Sequence, residues 1–433
     1  MKNDGNHGVF TFHSTYYSIN LSYKEVYERL THKETIKYFL SITKLKITMK
    51  KSYPCVLMLL LALIASSSAL AKTCINGIYY NIDKSKKQAE VTYEGTSYQE
   101  SKKYKGDIVI PSTVQDGGST YNVTSIDNDA FNGCSELTSI SLPNSITTIK
   151  GWAFSKCDKL KTFHLPKSVT DAGGYILEGC SSLTSISVDK DNKTYDSRNN
   201  CNAIIHTATN ELISGCQKTV IPNTVTRIGN GAFSKISTLI TIDIPSSVIS
   251  IGSCAFQNCS GLKTIKIPDS VISIEQWAFG YCTALESVSL PNSIDKIANN
   301  TFVNDVSLKS IVIPESVSSI DKWAIYCCNN LESVTILSTT PPVLDPKAIA
   351  FLDPSQTVEI HVPVGYRDIF LDNESWKNYK IIDDVVIPTP AAISSLQVSD
   401  NNTPTVIYDL SGRQLRQEKK GINIINRKKI LVK

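Results

Sequence analysis

Twelve cysteines and six histidines in 433 residues are the side chains with which this chain could bind metal, form disulfides or act as nucleophiles. Their spacing argues against most of that chemistry. No two cysteines stand as CxxC, so the local thiolate pair of a structural zinc site is missing. Six of them, Cys134, Cys157, Cys180, Cys259, Cys282 and Cys328, recur in one column of an internal repeat. Stacked repeats bring neighbouring Cα atoms to about 5 Å, inside disulfide range, but parallel side chains do not face one another. The expectation for this column is core thiols, because free cysteine behaves as a small buried hydrophobe. Cys201 and Cys216 differ. They flank NAIIHTATNELISG, which reads as a hairpin turning near Ala208-Thr209, so that residue pairs summing to 417 lie opposite. That register predicts a Cys201–Cys216 cross-strand disulfide; two separate buried thiols are the alternative.

Other chemistry is sparse. Residues 72–433 hold three histidines, His164, His206 and His361, in three different contexts. There is no HExxH, no GxSxG and no glycine-rich phosphate loop. DKDNKTYD (189–196) has calcium-loop composition but lacks the glycine of an EF-hand turn, so a plain Asp/Asn turn is expected. Carboxylates are scattered over exposed repeat positions. A carboxylate-pair glycosidase is a low-weight alternative that no motif favours. The reading is therefore no catalytic residue, no metal and no cofactor.

The elements that would position any site are set by the repeat. Written from its leucine, the unit is L-x-x-I-x-[IL]-P-x-S-[VI]-x-x-I-x-x-x-A-F-x-x-C-x-x, starting at Leu137, Leu160, Leu183, Leu239, Leu262, Leu285, Leu308 and Leu331. The step is 23 except from 183 to 239, where the gap holds two units and ten inserted residues, with Cys216 in the leucine phase. A degenerate first unit surrounds GDIVIPSTV. Such a period predicts a solenoid of roughly ten turns. The LTSISLP segment alternates as a short strand, and Pro143 and its equivalents end it by lacking a donor. Ala-Phe then packs as a single helical or 3-10 turn. The predicted core comprises Leu137, Leu160, Leu239, Leu262, Leu285 and Leu308, with Phe154, Phe233, Phe256, Phe279, Cys157, Cys259 and Cys282. Burying each large apolar side chain stabilises by roughly 1.5–3 kcal/mol. One unit cannot cover its own apolar face, so stability comes from stacking.

Units such as LTSISLPNSITTIKGWAFSKCDK and LKTIKIPDSVISIEQWAFGYCTA closely resemble BspA-type bacterial leucine-rich repeats, over residues 107–340. YILEGC (175–180) departs from the pattern, with Ile176-Leu177 for Ala-Phe, as does NTFVNDVS (300–307), with Asp305 for cysteine. CINGIYYNIDKSKKQAEVTYEG and VEIHVPVGYRDIFLDNESWKNYKIID resemble the N- and C-terminal caps of the same proteins. The implied fold is a leucine-rich-repeat solenoid, an α/β-type right-handed coil of short parallel strands with short helical or 3-10 turns. The implied function is that of a non-enzymatic surface adhesin for host matrix or plasma proteins or for other cells; a structural scaffold of the cell envelope is the alternative.

Met49, Lys50-Lys51, an apolar run and Ala69-Leu70-Ala71 read as a signal peptide over 49–71, with Lys72 the mature start. Residues 1–48 then read as upstream sequence translated in error; the alternative is a cytoplasmic extension that makes the apolar run an anchor. Residues 72–433 carry 35 basic and 36 acidic side chains, which leaves no basic excess for nucleic acid. The remaining boundaries are an N-terminal cap at 72–106, the solenoid at 107–356 with a hairpin inserted at 189–215, a C-terminal cap at 357–383, a linker at 384–403 and a tail at 404–433. The tail reads as a small β-meander. Its YDLSGRQL, KGINII and terminal lysine-rich strand resemble a type IX secretion sorting domain, which implies export to the surface of a Gram-negative bacterium, at the outer membrane.

The outward fifth position of each strand predicts the binding surface: Ser141, His164, Ser187, Val220, Asp243, Lys266, Ser289, Val312 and Thr335. It is small, hydroxyl-rich and mixed in charge, which suits a macromolecular partner better than a buried small molecule. Trp152, Tyr175, Trp277 and Trp323 form a second stripe just before Ala-Phe, where tertiary packing is expected and an interface is the alternative.

Overall fold

The computed structural model describes residues 72–95, 97, 104–349 and 357–386 in full, together with the backbone of short strands within 9–22 and 407–432. By backbone proximity the chain forms two units, Met1–Ala69 and Leu70–Lys433. The first contains an antiparallel pair, Val9–Ser14 with Tyr17–Ser22. The expected signal peptide, the remainder of 1–48 and linker residues 387–403 lie outside the described residues. Within the tail, Ile407–Asp409, Gln414–Leu415, Gly421–Ile425 and Lys428–Val432 form a four-stranded antiparallel sheet.

The second unit is a β-solenoid of about eleven turns spaced by about 23 residues. Its front face carries the strands that end in proline. They pair in parallel one repeat apart, as in Thr162↔Ser185, Thr264↔Ser287 and Ser310↔Ser333. A second, two-residue strand forms the back face, where Ile228, Ile251 and Ile274 stand in register. The third side is the turn ridge that carries Ala-Phe.

The ridge differs from the sequence-based expectation: it is made of hydrogen-bonded turns that do not continue as helix. The residue before the alanine is left-handed, with φ of 53° at Trp152, 57° at Cys254, 62° at Trp277 and 59° at Trp323, and so is Asn300 at 59°, where Thr301 replaces the alanine. So is the residue four positions on, with φ of 57° at Lys156, 57° at Asn258, 64° at Tyr281 and 60° at Asn304. A left-handed residue at each end stops a helix from propagating. The backbone between them alternates: Gln257 N–H closes a turn on Cys254 O at 3.1 Å, whereas Phe233 N–H donates to Ala255 O and Phe256 N–H to Ala278 O of the next coil, both at 2.8 Å.

Inside, every core residue predicted from the repeat is at most 2% exposed. The phenylalanines form a stack: Phe233–Phe256 and Phe256–Phe279 have centroids 5.1 and 5.3 Å apart, each with planes within 2°. Offset aromatic pairs add about 0.5–1.5 kcal/mol beyond the area they bury. Three cap strands, Thr73–Ile75, Ile78–Asp83 and Gln88–Thr92, extend the back sheet at one end. At the other, Glu359–Pro363 and Lys380–Val385 extend the front sheet, and buried Trp376 donates its indole N–H to Pro342 O at 2.8 Å.

The insert is a hairpin, Ala203–His206 with Glu211–Gly215, and its second strand joins the back ladder at Leu212↔Ile228. The turn ridge skips it, and Gly179 N–H donates straight to Ser234 O at 3.0 Å. Glu178 clasps this junction: its carboxylate accepts from Ser155 Oγ and Ser234 Oγ, both at 3.0 Å, and pairs with Lys235 Nζ at 3.0 Å. Gly215 is required here, because a Cβ would stand 2.2 Å from the Phe233 ring.

The expected Cys201–Cys216 disulfide is corrected by this hairpin. Both are buried free thiols. The pairing shifts by one residue between Ile204 and Ile205, giving Ala203↔Gly215 in place of the anticipated sum. Cys216 therefore comes opposite Asn202, and its Sγ lies 3.6 Å from Asn202 O.

Candidate binding surface

Ser141, His164, Ser187, Asp243, Lys266 and Ser289 all point outward from the front face and are exposed. His164 Nδ1 lies 2.9 Å from Ser187 Oγ, one coil on. Thr335 does not belong to this surface. It is 2% exposed and lies between Val312 and His361 of the flanking strands, where Leu337 and Val385 cluster with Val312.

The front ladder opens near its middle. Residues 216–221 bond to the insert, with Val220 N–H donating to Cys201 O at 3.0 Å and Thr219 Oγ1 to Asn202 O at 2.6 Å. Drawn that way, they make no ladder with 239–244. The next segment is joined to 239–244 by one backbone bond among the described residues, Lys263 N–H to Ile240 O at 3.2 Å. The result is a groove of about 340 Å³ lined by Thr241, Asp243, Ser246, Thr264, Lys266 and Pro268. Asp243 and Lys266, both singled out by repeat phase, stand on its two sides. The front face thus offers hydroxyls, one charge of each sign and backbone N–H groups free of the ladder.

The repeat that builds this face decides its kinship. The family described as BspA type leucine rich repeat region matches residues 116–214 and 212–332, in six copies. The chain belongs to this family. No curated protein matches the chain. Among solved structures, a leucine-rich cell surface protein from Faecalibacterium prausnitzii is similar at 21% identity and a TM-score of 0.36, over 64% of this chain and 92% of that one. A leucine-rich repeat protein from Eubacterium ventriosum is similar at 19% identity and a TM-score of 0.44, over 70% and 90%. The pneumococcal vaccine antigen PcpA is similar at 19% identity and a TM-score of 0.42, over 73% and 99%.

In this BspA-type chain the cysteine column is a ladder of thiol donors. Cys157 Sγ donates to Phe131 O at 3.3 Å, Cys180 to Phe154 O at 3.1 Å, Cys259 to Phe233 O at 3.1 Å and Cys328 to Phe302 O at 3.0 Å. Each thiol thus serves the backbone of the preceding coil. Burial pushes Cys134 up to about 11 and Cys259 up to about 12, far from the thiolate range that nucleophiles need. Asp305, in the same column, is fully buried and its carboxyl is pushed well above the usual range by desolvation.

The 189–196 loop spends its polar groups on turns. Asp189 Oδ1 accepts from Asp191 N–H, and Asn192 Oδ1 from Thr194 and Tyr195 N–H. Among the described residues no helix is long and apolar enough to cross a membrane. Sequence reasoning missed the left-handed bends and the Glu178 clasp. The bends had left a signal in Gly133, Gly179, Asn258 and Asn304, which share a column and are the residue types that tolerate φ above zero.

Proposed function

We propose that this protein is an exported, surface-associated adhesin whose front face binds host matrix proteins or the surface proteins of other cells. The observation that carries this reading is the opened front ladder. Solenoids use such extended faces for macromolecules, and here exposed Asp243 and Lys266 flank backbone groups freed from the sheet. Export rests on the leader at 49–71, with sorting by the 404–433 tail to the outer membrane of a Gram-negative cell. Mixed charge at the rim of an interface steers and selects partners more than it adds affinity.

The test uses the full chain displayed on cells and immobilised matrix and plasma proteins. The double charge reversal Asp243→Lys with Lys266→Asp should lower capture by at least tenfold while the unfolding midpoint stays put. Capture that is unchanged, or recovery of envelope proteins alone, overturns the adhesin reading, the latter in favour of an envelope scaffold.

A further inference from the structure

The front sheet stops on a strand with a ladder partner on one side. Its last four strands are Ser310–Ile313, Ser333–Ile336, Glu359–Pro363 and Lys380–Val385, in that order. An end strand of this kind presents a row of unpaired N–H and C=O groups along its outer edge, on which another extended segment can add. Its middle carries two adjacent acids, Asp383 and Asp384, both exposed. Asp384 Oδ1 lies 2.8 Å from His361 Nδ1, which holds that carboxylate beside the ladder.

The tail stops in the same way. Its sheet runs Gln414–Leu415, Ile407–Asp409, Gly421–Ile425, Lys428–Val432, so the final strand is again an end strand. The two end strands come within contact distance of one another. Their residue types are complementary in one antiparallel alignment. Asp384 comes opposite Lys428, Asp383 opposite Lys429, Ile382 opposite Ile430, Ile381 opposite Leu431 and Lys380 opposite Val432. Opposite charges and apolar pairs directly across a ladder stabilise it. A slip of one residue sets Ile382 against Lys429 in one direction and Asp383 against Ile430 in the other. A parallel alignment that keeps both acid–lysine pairs leaves 380–382 without partners.

We propose that Lys428–Val432 seals the front sheet by adding antiparallel to Lys380–Val385, which joins the two four-stranded sheets into one. A second copy of the edge could also pair, with Lys380 opposite Asp383, but it would leave Asp384 opposite Tyr379 and would have to be recruited from solution. The tail strand is tethered within the same chain, which raises its local concentration at the edge. Repeat arrays need their last face covered, and a covered edge keeps copies from associating edge to edge. The tail thereby acts inside its own chain, whether or not it directs sorting and whatever the front face binds.

Two measurements on the full-length chain test this. The first uses Cys74→Ser, which removes an exposed thiol, as background. There, Lys380→Cys with Val432→Cys should oxidise with copper phenanthroline to an intramolecular disulfide, read as a linked peptide from a band of monomer mass. The second is deuterium exchange of residues 380–385. Lys428→Glu with Lys429→Glu should speed it about tenfold by setting acid against acid. Adding Asp383→Lys should slow it again, a rescue that a tail which had merely lost its fold would not show. No linked peptide in the monomer, or exchange indifferent to the charge reversal, overturns the proposal. A 380–432 link found only in covalent dimers does so too, and assigns the edge to the tail of a second copy.

Discussion

Cys282 N–H donates to Asp305 Oδ1 at 2.8 Å, joining a thiol coil to the one coil whose column residue is a carboxyl. The second oxygen, Oδ2, is sealed from water and has no partner. Burial pushes the Asp305 carboxyl well above the usual carboxylate range, and burial likewise pushes the Cys282 and Cys328 thiols up. The repeat would place a cysteine here whose thiol donates to Phe279 O, so the chain carries a local defect in an otherwise regular ladder.

That defect makes stability depend on pH. The native carboxyl binds its proton more tightly than the unfolded one, which titrates near 3.9. Stability from this group is thus greatest below about pH 4 and falls as pH rises toward the native pKa, by about 1.4 kcal/mol per pH unit in that window. Asp305→Cys should raise stability, by about 1–3 kcal/mol from the unpaired oxygen alone, and the gain should grow with pH. Urea unfolding of both proteins between pH 4 and pH 8 measures it. A gain that stays constant over that range would mean that Asp305 is ionised in the native state.

Core and surface positions one strand apart should differ sharply. Phe279 stacks between Phe256 and Phe302, at 5.3 and 5.7 Å, and is 0% exposed. Phe279→Ala should cost about 3–5 kcal/mol by leaving a cavity that neighbouring coils cannot close. Lys266→Ala, on the outer side of the front strand, should stay within about 0.5 kcal/mol. Comparable losses at the two sites would contradict the assigned phase.

Thiol accessibility should follow burial rather than cysteine count. Among the described cysteines, exposed Cys74 and half-buried Cys254 should react quickly with a thiol reagent in the native protein, while the ladder thiols wait for unfolding. After unfolding and alkylation, Cys201 and Cys216 should both carry the label. A cross-linked 201–216 peptide in the mass spectrum would show that the hairpin register is the one first read from the sequence.

Much of this protein was legible before any coordinates. The 23-residue period, the columns Leu160, Phe256 and Cys282, and the face on which Asp243 and Lys266 project all follow from which residues repeat. The reason is physical: each coil can bury its apolar residues only against the same positions of its neighbours, so the pattern is written once per turn. The left-handed bends were also present, in Gly179 and Asn258, but they speak through backbone conformation rather than hydropathy. Other features were decided only by tertiary structure. The bulge at Ile204–Ile205 moved Cys201 away from Cys216, Val220 turned to bond Cys201 and so opened the front ladder, and Val385 covered the strand beside Thr335. Each depends on which distant segment competes for a backbone group or an apolar side chain, and a one-dimensional pattern does not record the winner.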